Sequence, residues 1–223
     1  MNKLNIAIDG PAGAGKSTIA KHVSEHLGIL YLDTGAMYRA MALKAIRSGI
    51  DPNDKDSVEK LLPKTDIDIR YLNGKQHVIL DGEDVSDSLR TPEISKGASD
   101  IAVIPSVRIK MVEKQREIAS KYDTVIDGRD IGSYVLPNAD FKFYVTATVK
   151  VRAERRMSEL SAAGNLGNRT FENVYDELIS RDKTDSTREF APLIKPPDSI
   201  LIDTTDLCVS EAVRLVLEYI KSH

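Results

Sequence analysis

The chain has 223 residues, a formal net charge of −3 and 29% charged residues. This length suffices for one α/β domain with a buried core, and the slightly acidic balance argues against a protein that binds nucleic acid through overall basicity. With 5% aromatic residues and no tryptophan, the chain also lacks the composition of a stacking platform for single-stranded nucleic acid. We therefore expect no nucleic-acid partner.

Membrane association and disulfide bonding are also not indicated. No apolar run approaches the length that spans a bilayer, and no signal peptide precedes the first apolar segment. The only cysteine, Cys208, lies in an apolar stretch and is expected in the core. One cysteine cannot form an internal disulfide, which fits a reducing compartment. Together with the lack of a long apolar run, this leads us to expect a cytoplasmic protein without a membrane partner.

The first element is a glycine-rich loop between a strand and a helix. An apolar run at 4–8 predicts a buried strand, and apolar residues at a four-residue step predict a helix from Ser17 to Leu27, closed by Gly28. The loop between them has the spacing G-x-x-x-x-G-K-S, typical of loops that cradle phosphates. Its candidate nucleotide-binding residues are Gly10, Pro11, Ala12, Gly13, Ala14, Gly15, Lys16, Ser17 and Thr18.

This loop suits a nucleoside triphosphate. Glycines let the backbone approach phosphate oxygens, and the amides at a helix N-terminus attract anions. Lys16 is then expected to reach the β- and γ-phosphates, while the Ser17 hydroxyl coordinates Mg²⁺. We therefore predict ATP binding with Mg²⁺ as the cofactor.

Strand and helix patterns alternate along the rest of the chain, which indicates an α/β fold with a parallel sheet covered on both sides. We predict a P-loop NTPase domain over residues 1–223, with a five-stranded parallel sheet between helices. Its strands are predicted at 4–8, 29–32, 124–126, 141–145 and 200–202, and its further helices at 36–48, 106–122, 151–163, 171–181 and 210–221.

One segment interrupts this alternation. Ile67, Ile69 and Tyr71 alternate with polar residues, Asn73-Gly74 predicts a tight turn, and residues 77–80 predict a returning strand. We therefore expect a small antiparallel β insert at 61–95. The local sequence leaves open whether it shapes a site or only decorates the surface.

The strand at 124–126 runs into a carboxylate, Asp127, followed by Gly128, Arg129 and Asp130. A carboxylate at such a strand end is a candidate Mg²⁺ partner, although Asp-Gly pairs are also common turns. Ligands of parallel sheets bind at the carboxyl ends of the strands, which makes Arg129 a candidate for contact with substrate.

Further arginines are expected near this edge, although for any one of them a solvated helix face remains the alternative. If donor and acceptor both carry phosphate, two unit charges about 4 Å apart repel by about 4 kcal/mol at an effective dielectric near 20. Guanidinium groups offset this repulsion, and a phosphate acceptor needs no strong general base. The candidates are Arg39, Arg108, Arg152, Arg155, Arg156, Arg181 and Arg188.

Residues 151–182 are predicted to form a helical lid. Arg152, Arg155 and Arg156 lie on one helix and are followed by a glycine-containing link at 164–168. A lid that brings them over ATP excludes water and prevents wasteful hydrolysis. A basic surface helix is the alternative, and which of the three contacts the triphosphate is left open.

Three segments carry a specific resemblance: DTGAMYR at 33–39, DGRD at 127–130 and RDKTDSTR at 181–188. With the phosphate loop, they resemble the bacterial cytidylate kinases, a family of P-loop nucleoside monophosphate kinases with an adenylate-kinase-like fold. The resemblance extends nearly to the carboxyl terminus and includes the antiparallel insert.

The resemblance implies transfer of the γ-phosphoryl group of ATP to CMP or dCMP, in pyrimidine nucleotide metabolism, by a protein that we expect to be a monomer. It implies catalytic roles for Lys16, Arg129, Arg181 and Arg188. It also implies phosphate contacts from several arginines, sugar contacts from Asp185 and base contacts from Asp130. The implied CMP-binding residues are Thr34, Tyr38, Arg39, Ser99, Arg108, Arg129, Asp130, Arg181, Asp185 and Arg188.

Other functions remain as alternatives at this point. A kinase for UMP or AMP would share most of these features. A GTP-driven switch would need an N-K-x-D segment that reads guanine, and the sequence has none. An ATPase stimulated by nucleic acid is disfavoured by the composition.

Overall fold

The computed structural model describes residues 3–223, which form two compact units. The first comprises residues up to Tyr31 together with those from Lys121 onwards, and the second comprises Leu32–Ser120. The strands are β1 (Asn5–Asp9), β2 (Leu30–Asp33), β3 (Ile67–Leu72), β4 (Lys75–Leu80), β5 (Glu83–Asp84), β6 (Thr124–Gly128), β7 (Phe141–Thr146) and β8 (Ile200–Asp203).

Helices flank these strands, and most lie within two residues of their predicted bounds. They are α1 (Lys16–Leu27), α2 (Thr34–Arg47), α3 (Lys55–Leu61), α4 (Pro92–Ile101), α5 (Pro105–Lys121), α6 (Val149–Ala162), α7 (Phe171–Thr187) and α8 (Val209–Ser222). No helix in residues 3–223 is both long and apolar enough to cross a membrane.

The main sheet has five strands in the order β2-β6-β1-β7-β8. Ile8 pairs with Asp127 and Asp9 with Gly128, so β1 and β6 end side by side. The phosphate loop and the DGRD segment therefore leave the sheet at the same edge. The predicted α/β class with a five-stranded parallel sheet is confirmed.

The core of the first unit lies between this sheet and helices α1 and α8. Alternating apolar residues of the central strands, such as Ile6 and Ile8, are fully buried against α1. Phe143 of β7 is also buried, and Tyr219 of α8 packs against it edge to face with ring centroids 5.7 Å apart. Such pairs stabilise a core beyond the area that they bury. The sheet therefore holds its carboxyl edge on a rigid base.

The second unit contains the predicted antiparallel insert, as a three-stranded sheet in the order β3-β4-β5. The third strand, Glu83–Asp84, is too short for an alternating pattern and was not predicted. Helices α3 and α4 were also missed, although Asp54 and Thr91 cap them with their side chains. Helix α4 begins inside the range given for the insert, at Pro92.

Helix α7 and Cys208 differ from what the sequence predicts. Helix α7 continues past Arg181 to Thr187, because residues 182–187 contain no proline or glycine that would end it. Within these turns Ser186 Oγ donates to Asp182 O at 2.7 Å. Cys208 is exposed, not a core residue, because it lies just before α8, where its backbone N–H donates to Glu211 at 2.8 Å.

Candidate active site

At two positions, the phosphate loop has a backbone conformation that residues other than glycine rarely adopt. Gly10 has φ +145°, and a Cβ there would lie 1.9 Å from the carbonyl oxygen of Val145 in β7. Gly15 has φ +90° and forms the N-cap of α1 without a side-chain acceptor. The first-turn amides of α1 therefore lack a competing side-chain cap, which suits an anion.

Lys16 lies under this loop rather than in solvent. Its side chain is 5% exposed, and Nζ donates to the carbonyl oxygen of Pro11 at 2.7 Å. Burial, with Arg129 adding to the effect and Asp127 opposing it, lowers the pKa of Lys16 to about 7. Bound phosphates would favour the charged form by the same Coulombic argument. The lysine is thus placed for an anion that compensates its burial.

Ser17 and Asp127 are in contact, as their predicted joint role requires. Ser17 Oγ donates to Asp127 Oδ2 at 2.8 Å, and the hydroxyl of Tyr31 donates to Asp127 Oδ1 at 2.9 Å. A hydroxyl and a carboxylate side by side are oxygen donors of the kind that Mg²⁺ prefers, and Mg²⁺ at phosphates needs only one or two protein ligands. The residues fit the ion.

The end of β6 and helix α7 bring the predicted arginines to their carboxylates. Arg129 Nε donates to Asp185 Oδ2 at 2.8 Å. The guanidinium of Arg188 lies 3.3 Å from Asp130 and 3.7 Å from Asp185, and its side chain is 3% exposed. Although burial disfavours its charge, Arg129 and Arg181 together hold the pKa of Asp185 below its ordinary value. Four of the predicted acceptor residues therefore form one charged cluster, in which Asp130, Asp185 and Arg188 are buried and Arg129 is half-buried.

Helical spacing explains why α7 serves this cluster. Arg181, Asp185 and Arg188 follow one another at steps of four and three residues, which places them on one helix face. Arg188 is the C-cap, and its backbone is extended rather than helical. Its side chain turns toward Ala191 O, to which Nε donates at 2.7 Å.

Asp9 is a buried carboxylate that sequence reasoning did not single out. It is 1% exposed and accepts the backbone N–H groups of Ile131 at 2.8 Å and Gly132 at 2.7 Å. These residues directly follow Asp130, so Asp9 fixes the chain just beyond the DGRD segment. The signal in the sequence was a charge at the end of an otherwise apolar strand.

Arg152 lies near the start of α6 and is buried against the phosphate loop. It is 3% exposed, and each guanidinium nitrogen donates to the protein: Nε to Ala147 O at 3.0 Å, Nη1 to Ala12 O at 3.0 Å and Nη2 to Asp182 at 2.6 Å. A Cβ on Gly13 would lie 3.1 Å from the Cβ of Arg152. Arg152 thus ties the phosphate loop to α6 and α7.

The two other lid arginines differ in their surroundings. Arg155 donates to the side chain of Thr204 at 2.9 Å and to its carbonyl at 2.6 Å, and the Thr204 hydroxyl is 3.0 Å from Ala14 O. Arg156 is 35% exposed and pairs with Glu159 at 3.2 Å. Of the three, Arg152 contacts the phosphate loop directly at Ala12, and Arg155 is linked to it through Thr204. Arg156 is the most exposed of them.

In the second unit, the DTGAMYR segment forms the start of α2. Asp33 caps the helix by accepting from Ala36 N at 3.0 Å, and it pairs with Arg39 at 2.7 Å. Thr34 is buried, whereas Tyr38 and Arg39 are half-buried. The segment thus presents a guanidinium that is already oriented by a carboxylate.

Arg108 and Ser99 lie on the two helices that follow the insert. The Arg108 side chain is 1% exposed; Nη1 donates to Ala102 O at 3.1 Å, and its guanidinium carbon lies 5.5 Å from the ring centroid of Tyr38. Ser99 is a half-buried residue of α4, which packs against α2. The structure brings Tyr38 and Arg108 together within the second unit.

The pKa of Asp9 leads to an expectation for stability. Burial raises it from the ordinary 3.8 to about 7, with Asp130 adding to the rise and the two amides and Lys16 opposing it. The native state therefore holds a proton between pH 4 and 7 that the unfolded state has lost. The stability from this group is complete below about pH 4 and disappears as pH rises through 7.

Asp9→Asn, which has no such proton, should lack this decline. We expect the free energy of urea unfolding of the native protein, relative to the variant, to fall between pH 4.5 and 7.5, by at most about 4 kcal/mol for about 3 pH units. The exposed Asp206→Asn controls for net charge. A difference between native protein and Asp9→Asn that does not change with pH would contradict the expectation.

Comparisons with solved structures support the fold. The structure resembles a shikimate kinase from Bacteroides thetaiotaomicron with a TM-score of 0.51 and 13% identity, covering 98% of each chain. An uncharacterized protein from Eubacterium ventriosum matches with a TM-score of 0.52 and 16% identity, covering 99% of this chain and 100% of the other. At this identity the likeness concerns the fold alone.

Sequence relatives are much closer and span nearly the whole chain. Cytidylate kinase from Caldicellulosiruptor bescii is 48% identical over 98% of this chain and 96% of its own length. Those from Clostridioides difficile and Halalkalibacterium halodurans are 48% and 47% identical, each covering 99% of both chains. The cytidylate kinase family model matches residues 6–222. The phosphate loop, the charged cluster and this match lead to one conclusion: the chain belongs to the cytidylate kinase family.

Proposed function

We propose that the protein transfers the γ-phosphoryl group of ATP to CMP or dCMP and releases ADP with CDP or dCDP. Membership of the cytidylate kinase family supports this reaction. The observation that carries the proposal is the group of cations and carboxylates at one sheet edge, where the buried Lys16 and Arg188 and the half-buried Arg129 meet Asp127 and Asp185. Such a group suits two polyanionic substrates.

On the donor side, the amides of residues 10–18 and the N-terminus of α1 bind the β- and γ-phosphates of ATP. Lys16 leaves the Pro11 carbonyl to neutralise charge on these phosphates. Ser17 and Asp127 hold Mg²⁺, directly or through its water shell. When bound, the ion supplies charge neutralisation between phosphate oxygens of ATP.

On the acceptor side, Arg39, Arg129, Arg181 and Arg188 hold the phosphate of CMP. In the transfer, an oxygen of this phosphate forms a bond to the γ-phosphorus, and the bond from that phosphorus to the β–γ bridging oxygen breaks. The departing electron pair stays with ADP. The acceptor oxygen is already ionised, so these residues position groups and stabilise charge without removing a proton.

Recognition of the nucleoside uses the remaining predicted residues. Asp185 accepts hydrogen bonds from sugar hydroxyls, and Thr34 and Tyr38 lie near the acceptor. Ser99, Arg108 and Asp130 read the base: the carboxylate of Asp130 accepts from the amino group of cytosine, and donors reach N3 and O2. Uracil presents a carbonyl where cytosine has the amino group, so it leaves polar groups mispaired.

The segment 151–182 is proposed as the part that excludes water from ATP during transfer. Arg152, Arg155 and Arg156 remain the candidates to contact the triphosphate, and Arg152 also holds the loop from beneath by donating to Ala12 O. The exposed thiol of Cys208 fits a reducing compartment. We include a cytoplasmic location and a monomeric state in the proposal.

An acceptor panel tests the reaction directly. ADP formation from ATP and Mg²⁺ is measured in a coupled assay with CMP, dCMP, UMP, dUMP, AMP and GMP at equal concentration. We expect kcat/KM to be highest with CMP or dCMP, with UMP lower by about 10- to 100-fold for one mispaired buried group. Faster turnover with UMP or AMP would show that uracil or adenine, not cytosine, is the preferred base, and would contradict the proposal.

Replacing the loop lysine separates donor from acceptor chemistry. In Lys16→Ala we expect kcat to fall by about 10²- to 10³-fold, as for the loss of one charge-stabilising donor, with CMP affinity within about twofold. Steady-state kinetics and calorimetric titration with CMP measure the two effects. Lys21→Ala, an exposed position of the same helix, serves as the control and should retain full activity. Undiminished turnover in Lys16→Ala would remove the lysine from the mechanism.

The role of Asp130 is tested by a change of similar shape. Asp130→Asn replaces a carboxylate oxygen with an amide donor, and we expect the preference for CMP over UMP in kcat/KM to fall by about 10-fold or more. Because Asp130 also pairs with Arg188, the informative quantity is this ratio rather than either rate alone. Asp176→Asn, exposed on α7, is the control. An unchanged ratio in Asp130→Asn would show that another group reads the base.

A further inference from the structure

The antiparallel insert contacts the DTGAMYR segment through the side chain of Gln76 on β4. Its Oε1 accepts the backbone N–H of Asp33 at 2.7 Å, and its Nε2 donates to the backbone carbonyl of Asp33 at 3.2 Å. One amide thus satisfies both main-chain groups of one residue, as a neighbouring strand would. The separation of 43 residues in sequence makes this a tertiary tie between the insert and the end of β2.

The place of Asp33 explains why such a tie is needed. Asp33 is the last residue of β2, and β2 is the edge strand of the five-stranded sheet. Main-chain groups on the outer side of an edge strand have no strand to pair with. Gln76 supplies that partner from the face of β4 that also carries the buried residues Val78 and Leu80.

Asp33 in turn determines the position of Arg39. One carboxylate oxygen caps α2 at Ala36, and the other accepts from Arg39 Nη2 at 2.7 Å. A Cβ on Gly35 would lie 3.0 Å from Arg39 Nη1 and 3.1 Å from Asp33 Oδ1, so the glycine lets the two side chains close over it. Within residues 3–223, the buried Nε of Arg39 has no hydrogen-bond partner. Arg39 is therefore held at one nitrogen, and its side chain is 20% exposed, so part of the guanidinium can still reach an anion.

We propose that Gln76 is a positioning residue through which the insert sets the guanidinium of Arg39 for the acceptor phosphate. The amide of Gln76 holds the main chain of Asp33, and the carboxylate of Asp33 holds Arg39. This inference rests on the proposed contact of Arg39 with the phosphate of CMP. It gives the insert a task in acceptor binding that does not require any residue of its sheet to touch the nucleotide.

We call the contacts from Gln76 through Asp33 to Arg39 the relay. The variant that tests it is Gln76→Met, which keeps the length of the side chain and loses both hydrogen bonds. We expect the KM for CMP to rise by about 5- to 20-fold, as for one or two lost buried hydrogen bonds, with the KM for ATP within about twofold. Gln76→Glu keeps the acceptor for the Asp33 N–H but loses the donor, so its KM for CMP should lie between those of Gln76→Met and the native protein.

A matched control removes a different tie between the insert and α2. Lys44 of α2 pairs with Asp81, in the turn after β4, at 2.7 Å, at the end of the helix away from Asp33. Lys44→Met should leave the KM for CMP within about twofold, because single partly exposed pairs contribute little. An equal rise in KM in Lys44→Met would show that any loosening of the insert has this effect, and would overturn the relay.

A readout specific to phosphate separates positioning from general damage to the unit. Cytidine, which lacks the phosphate, is titrated as a competitive inhibitor against CMP. We expect Gln76→Met to leave the inhibition constant of cytidine within about twofold while CMP binding weakens, since Arg39 acts on the phosphate alone. Equal weakening of cytidine and CMP would overturn the proposal.

A double-mutant cycle with Arg39→Met completes the test. If Gln76 acts through Arg39, Gln76→Met should weaken CMP binding no further in a chain that already carries Arg39→Met. Additive losses, or a loss in Arg39→Met but none in Gln76→Met, would overturn the relay alone. Unchanged CMP binding in Arg39→Met would overturn the phosphate role of Arg39 and the relay with it, whereas the acceptor panel would still test the reaction.

Discussion

The structure depends on charge compensation at the carboxyl edge of β1 and β6. Burying a cation is costly unless an anion is close by, and the buried cations here lie next to carboxylates. Arg129 donates to Asp185, and Arg188 lies near Asp130 and Asp185. These pairs keep the guanidinium groups charged and in place before any phosphate arrives. Preorganised charge of this kind is what phosphoryl transfer requires.

The donor loop is held by main-chain contacts rather than by side-chain bulk. Gly10 passes against the carbonyl of Val145, and Lys16 donates to the carbonyl of Pro11 inside the loop. From the other side, Arg152 reaches the carbonyl of Ala12 and connects it to Asp182 on α7. Because α7 also carries acceptor candidates, the donor loop and the acceptor arginines of the first unit share one rigid support.

The second unit applies the same principle with different residues. Arg39 is oriented by the carboxylate of Asp33, which is itself held at its main chain by Gln76 of the insert. Arg108 is buried next to the ring of Tyr38. An arginine that must meet a phosphate is thus fixed by a neighbour whose own position is fixed in turn, and this explains why a small sheet is useful beside α2.

The sequence by itself determined the fold class, the phosphate loop and most helices and strands, because these follow from local spacing and periodicity. It also indicated that Ser17 and Asp127 belong together, since Asp127 lies near the end of β6 and Ser17 lies at the start of the helix that follows the phosphate loop after the neighbouring strand β1. The sequence did not predict the short elements α3, α4 and β5, because segments of two to ten residues contain few periods of a hydrophobic pattern.

Only the tertiary structure decided the pairing of the charges. That Arg152 is buried beneath the loop, that Asp9 holds the backbone of Ile131 and Gly132, and that Gln76 completes an edge strand are contacts between segments far apart in the chain. Their partners are set by sheet register and helix packing, which no local pattern encodes. An arginine on an exposed helix and one buried against a carbonyl look the same in sequence, because the difference lies in the surroundings that folding brings to them.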